Sequence, residues 1–137
     1  MKTIVVGYDN TEPSQRALER AADIAEKFGS RLVVTSVTPV MVTSGHGSAG
    51  IDPTDLPAEH QGELEQAQAY LSGRNLTAEL QPAIGEPADT IVEAAEQNGA
   101  TLIVVGTREP SFFERVLGSS VSQAVSKHAH CDVLIVH

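Results

Sequence analysis

Thr3-Ile4-Val5-Val6-Gly7-Tyr8-Asp9 and Leu102-Ile103-Val104-Val105-Gly106-Thr107-Arg108 are the two stretches on which the fold turns. Each is a short, β-branched apolar run that stops at a glycine. A run of that length without polar alternation suits a strand buried on both faces, as in a parallel sheet. The shared Ile-Val-Val-Gly is the internal echo of the chain, and no tandem repeat accompanies it.

Between and around these runs, helical patterns alternate with further strands. Asp9-Asn10-Thr11-Glu12-Pro13 is a helix-start signal, with cap candidates and an early proline. Leu18, Ala21, Ala22, Ala25 and Phe28 then recur at helical spacing, and Gly29 is placed to cap the end. Leu32 to Val37 reads as the second strand. A polar stretch from Thr38 to about Asp55 follows, carrying Pro39, Gly45, Gly47, Gly50 and Pro53. It is too long for an ordinary connection, and such loops often carry function. A helix over Pro57 to Leu71 places Leu64, Ala67 and Leu71 on one face. Leu76 to Leu80, extending toward Ala83, is the most polar strand and is predicted at a sheet edge. Gly85-Glu86-Pro87 opens a helix whose apolar face is Ala88, Ile91, Val92 and Ala95, with Gly99 at its end. A loop from Thr107 to about Val116 leads to a last helix with Leu117, Val121, Ala124 and Val125, then to the strand Asp132 to Val136. Five strands alternating with four helices predict an α/β fold: a single doubly wound, five-stranded parallel sheet with helices on both faces. No linker interrupts it, so residues 1–137 read as one domain.

Bulk composition narrows the function classes. The chain has 137 residues, 41% apolar and 20% charged, with no Trp and 4% aromatics, so its core is aliphatic. A formal net charge of -9 repels nucleic-acid backbones and anionic membranes, which argues against both as partners. No apolar run approaches the length of about 18 residues that a membrane span needs. The first residues read as a strand rather than a signal peptide, and the one cysteine, Cys131, has no internal disulfide partner. A cytoplasmic location is expected.

In an open doubly wound sheet, ligands sit beyond the carboxyl ends of the strands where the strand order reverses. If the first and fourth strands are central neighbours, that point is formed by Gly7-Tyr8-Asp9 and Gly106-Thr107-Arg108. Glycine there lets backbone approach a ligand, and it equally eases a tight strand-to-loop turn. Gly118-Ser119-Ser120 opens the last helix, whose N–H groups and dipole suit a phosphate, although either serine also fits an ordinary N-cap.

Taken in order, several motifs resemble the universal stress protein family. They are Val6-Gly7-Tyr8-Asp9-Asn10-Thr11-Glu12-Pro13-Ser14, Gly85-Glu86-Pro87-Ala88, Val104-Val105-Gly106-Thr107-Arg108, Leu117-Gly118-Ser119-Ser120-Val121 and the closing Cys131-Asp132-Val133-Leu134-Ile135-Val136. The resemblance covers the whole chain. It implies strand order 3-2-1-4-5, a homodimer paired through the last strand, and a stress-response role that acts by binding rather than by a known reaction. Part of the family binds ATP or AMP and part does not. The resemblance carries nucleotide-binding roles onto Asp9, Val37 through its backbone, Gly106, Arg108, Gly118, Ser119 and Ser120.

The glycine motif departs from the family's pattern. Gly106 and Gly118-Ser119 match its first and last parts, but Glu109 takes the place of the second glycine and the following segment, Pro110 to Leu117, is one residue short. Glu109 adds a carboxylate, and Pro110 removes an N–H that would face phosphate. A carboxylate some 4 Å from a phosphate charge costs on the order of 4 kcal/mol near a protein surface. Rotation to solvent, or pairing with Arg108 or Arg115, would relieve much of it. A monophosphate or cyclic nucleotide is therefore expected to fit better than ATP, and a protein that binds no nucleotide is the alternative.

Other constellations carry less. His128, His130 and Cys131 are too closely spaced for a usual zinc site and fit a solvated helix end. His46 and His60 flank Asp52 and Asp55 in or near the long polar stretch without a nucleophile motif, and no Gly-Lys-Ser phosphate loop is present. Phe112-Phe113 suits either packing on the sheet edge or a partner surface. A signalling receiver domain would need a phosphorylatable Asp at the end of the third strand, where Gln81-Pro82-Ala83 stands. A weak nucleotide hydrolase would need a metal-holding acid near the phosphates, for which Asp9 and Glu109 are the available residues.

Overall fold

The two Ile-Val-Val-Gly runs lie side by side at the centre of one parallel sheet. The computed structural model describes residues 2–38, 55–107 and 121–137. The elements run β1 (Thr3–Gly7), α1 (Glu12–Phe28), β2 (Arg31–Thr38), α2 (Asp55–Gly73), β3 (Ala78–Ile84), α3 (Pro87–Gln97), β4 (Leu102–Gly106), α4 (Val121–His128) and β5 (Asp132–Val136). The sheet order is β3-β2-β1-β4-β5, and every pairing is parallel. The expected doubly wound sheet and the order that the resemblance implied are both borne out.

Side chains alternate between the two faces because the strand repeat is two residues. Ile4, Val6, Leu32, Val34, Leu102 and Val104 pack under α1 and α2. Val5, Val33, Ile103 and Val105 pack under α3 and α4. Each fully buried Ile or Leu contributes about 1.5–3 kcal/mol. The helices answer with small residues: Ala17, Ala21, Ala22 and Ala25 on α1 and Ala88, Ala94 and Ala95 on α3 let the backbones ride close to the sheet.

The echo does not pair in step. Ile4 lies opposite Leu102, Val5 opposite Ile103 and Val6 opposite Val104, so equivalent residues of the two runs are offset by one and face opposite sides of the sheet. β3 lies at an edge, as its polarity predicted, and Pro82 is accommodated there because an edge strand need not donate outward.

Several element ends differ from expectation. Phe28, placed on the apolar stripe by spacing, is 62% exposed. It is the last residue of α1, and the chain turns back at Gly29 (φ 63), where the N–H groups of Gly29 and Ser30 both bond the Ala25 carbonyl. At the helix end, most of the ring is left in solvent. At the end of α3, Asn98 is the cap and Gly99 adopts the left-handed conformation one residue later. Of the polar stretch predicted from Thr38 to about Asp55, Thr38 ends β2 and Asp55 opens α2, while residues 39–54, and Leu117 and Phe112-Phe113, lie outside the described residues.

Candidate functional site

Strand order reverses between β1 and β4, so their carboxyl ends form the switch point of the sheet. Gly7 pairs with Thr35, and two residues further along are Asp9, just beyond β1, and Val37, on β2. Val6 pairs with Val104, which brings Gly106 to the same rim. The ladder continues past the strands: the Tyr8 N–H bonds the Thr35 carbonyl at 2.9 Å, and the Thr107 N–H bonds the Val136 carbonyl at 2.9 Å. Three of the seven predicted site residues, Asp9, Val37 and Gly106, thus meet at one end. Arg108, Gly118, Ser119 and Ser120 lie outside the described residues, as do Glu109, Pro110 and Arg115.

The half-buried Asp9 is held by the start of α1. Its Oδ1 accepts from the Thr11 N–H at 3.1 Å and from the Thr11 hydroxyl. Thr11 Oγ1 in turn accepts from the Ser14 N–H at 3.4 Å, which makes Thr11 the N-cap. Ser14 Oγ donates to the Thr11 carbonyl at 3.0 Å and accepts from the Asp9 N–H at 3.3 Å. The ring of bonds closes on itself, and buried Ser14 fixes it against the sheet. Sequence reading saw a helix start here but not this ring. The signal was a Thr two residues after the Asp and a Ser three residues after the Thr, the offsets of an Asx turn and a cap.

Packing demands a glycine at 106, against backbone, and only favours one at 7, against the flexible end of a side chain. A Cβ on Gly106 would lie 2.4 Å from the Pro13 carbonyl carbon and oxygen. A Cβ on Gly7 would lie 2.8 Å from Ile91 Cδ1, on the other face. The register offset produces this: one glycine admits α1 and the other admits α3.

Beneath the rim, Ser36 Oγ donates to Glu63 Oε2 on α2 at 2.7 Å. The Tyr8 hydroxyl donates to Asn10 Oδ1 at 2.9 Å. Burial raises the Tyr8 phenol above its ordinary value, and the carboxylates of Glu63 and Asp9 push it the same way. An open cleft of about 220 Å³ runs from Tyr8 and Asn10 along Gln15 to Gln66 and Tyr70, on the α1/α2 face.

His130 Nδ1 lies 2.6 Å from Glu96 Oε1 on the surface. Half-buried Cys131 packs against the core beneath α3 and α4, and burial, then Asp132, raises its thiol above the ordinary value. Among the described residues, no three of His, Cys, Asp and Glu stand together as a metal-binding group. No described helix is long and apolar enough to cross a membrane.

The model of the universal stress protein family matches residues 1–137. The chain belongs to the universal stress protein family. A universal stress protein of Methanocaldococcus jannaschii is 33% identical over 98% of this chain and 81% of its own length. Another, from Bacillus subtilis, is 32% identical over 97% of each. A solved universal stress protein in complex with cAMP superposes with a TM-score of 0.78 at 30% identity, over 99% of this chain and 97% of that one. In this universal stress protein, Asp9 beyond β1 is held on a hydrogen-bonded turn, and Gly106 lies directly beneath the first turn of α1.

Proposed function

We propose that this universal stress protein is a binding module that takes an adenine nucleotide at the carboxyl ends of β1, β2 and β4, without turning it over. The observation that carries the reading is the convergence of Asp9, Val37 and Gly106 on the switch point of the sheet. Asp9 offers a carboxylate to nucleoside hydrogen-bond donors, Val37 offers backbone to adenine, and the segment through Arg108 to Gly118, Ser119 and Ser120 receives phosphate. The relative solved with cAMP, at 30% identity, supports a ligand with one phosphate. Glu109 and Pro110 favour the same choice: AMP or cAMP rather than ATP.

The module is read as a homodimer joined through β5. That strand lies at the sheet edge and presents half-buried Val133, Leu134, Ile135 and Val136. An edge with open backbone groups and apolar side chains suits pairing with a second copy.

Native mass spectrometry of gently purified protein and calorimetric titration with ATP, AMP and cAMP test the ligand. Micromolar binding of AMP or cAMP with weaker binding of ATP is expected, with ATP restored by Glu109→Gly. A phosphate-release assay on ATP is expected to stay at background. A second reading, a dimeric regulatory protein without nucleotide, is favoured by the same Glu109 and Pro110. It stands if all three nucleotides are ignored.

A further inference from the structure

Asp9 stands at the rim where the nucleotide is placed, but it does not stand there on its own. Its carboxylate takes two bonds from Thr11, and its N–H is held by the Ser14 hydroxyl. Thr11 and Ser14 are tied to each other by two further bonds, the cap bond and the Ser14 hydroxyl to the Thr11 carbonyl. Between them, Pro13 rests its carbonyl on Gly106, the described member of the site that β4 supplies. One helical turn therefore touches the β1 part of the site through hydrogen bonds and the β4 part through direct packing.

We infer that the first turn of α1 is the positioning element of the site, with Thr11 as its principal positioning residue: Thr11 fixes the Asp9 carboxylate as an oriented acceptor for the nucleoside. This rests on the adenine-nucleotide reading above. The physical reason is preorganisation. A short acidic side chain in the coil before a helix samples several rotamers, and a ligand must select one. Two donors from Thr11 make that selection before the ligand arrives. Thr11 does not touch the ligand in this proposal; it acts through Asp9.

The test separates orientation from helix capping. Glycine is nearly as good an N-cap as threonine, so Thr11→Gly removes the hydroxyl while moving the melting temperature by about 2 °C or less. Serine keeps the hydroxyl. Calorimetric titration of AMP and cAMP into the full-length wild type, Thr11→Gly and Thr11→Ser is expected to show about a tenfold loss of affinity in the glycine variant. The serine variant is expected to bind like the wild type, with all three melting alike. Wild-type binding that Thr11→Gly leaves unchanged overturns the positioning role alone. A loss that serine fails to restore also overturns it. A wild type that ignores both nucleotides overturns the site reading and this inference with it.

Discussion

Gly106 and Pro13 meet where β4 passes under the first turn of α1, and the contact leaves no room for a single carbon. Gly106→Ala is expected to cost about 1–3 kcal/mol, since backbone rather than a flexible side chain must move. Thermal unfolding should show the variant melting several degrees lower, and an unchanged midpoint would mean the helix is not seated on that glycine. Tyr8 gives a second test. Its raised value means the folded state prefers the protonated phenol, so this contribution is intact below the unfolded value of about 10 and is lost as the pH rises beyond it. An alkaline absorbance titration should show a late-ionising tyrosine that Tyr8→Phe removes. Neither feature was legible in the sequence: a glycine after Val-Val reads alike whether a ligand or a helix presses on it. The common placement of Asp9, Val37 and Gly106 at one rim was legible because it follows from strand order, whereas the roles proposed for them came from the family resemblance. Thr11 was within reach as a helix-cap candidate, but its bond to Asp9 and the part played by Ser14 were not, because they depend on rotamers.

Among the elements, strands and helices were easy to read because their burial is periodic. The β-branched runs became β1, β2 and β4, and the stripes Leu64-Ala67-Leu71 and Ala88-Ile91-Val92-Ala95 are all buried. Phe28 shows the limit: the period places it on the apolar stripe, but it is the last residue of α1 and stays exposed. Cross-links between elements were also out of reach, since they exist only after docking. Arg74, beyond the end of α2, bonds Asp23 and Glu26 on α1, each at 2.8 Å, and the Tyr70 hydroxyl at 3.1 Å. These partners hold its guanidinium pKa above the ordinary value, with Asp23 the largest cause. Arg74→Met keeps the stem but removes the charge. It is expected to lower the melting temperature at low salt, with a smaller difference from wild type at high salt. Equal differences at both salts would show that the pairing with α1 carries no electrostatic stabilisation.

The assembled protein presents two edges that differ in character. β3 carries exposed Glu79 and Pro82, both of which discourage further pairing, whereas β5 is a half-buried apolar row whose side chains alternate between the two halves of the core. Ile135→Lys places a charge in that row and is expected to convert a dimer to a monomer in sizing chromatography. A retained dimer would move the interface elsewhere. Family membership follows from the whole chain, since no single motif decides it. The proposed ligand belongs to one rim of the sheet, so the decisive measurement looks for it there. Amide chemical-shift mapping of the isotope-labelled protein during AMP addition should move Asp9 to Ser14, Ser36 to Thr38 and Gly106 to Arg108 together, along with Gly118 to Ser120. Shifts confined to α2 or β3, or none at saturating AMP, would contradict the placement of a nucleotide at the β1/β4 switch point.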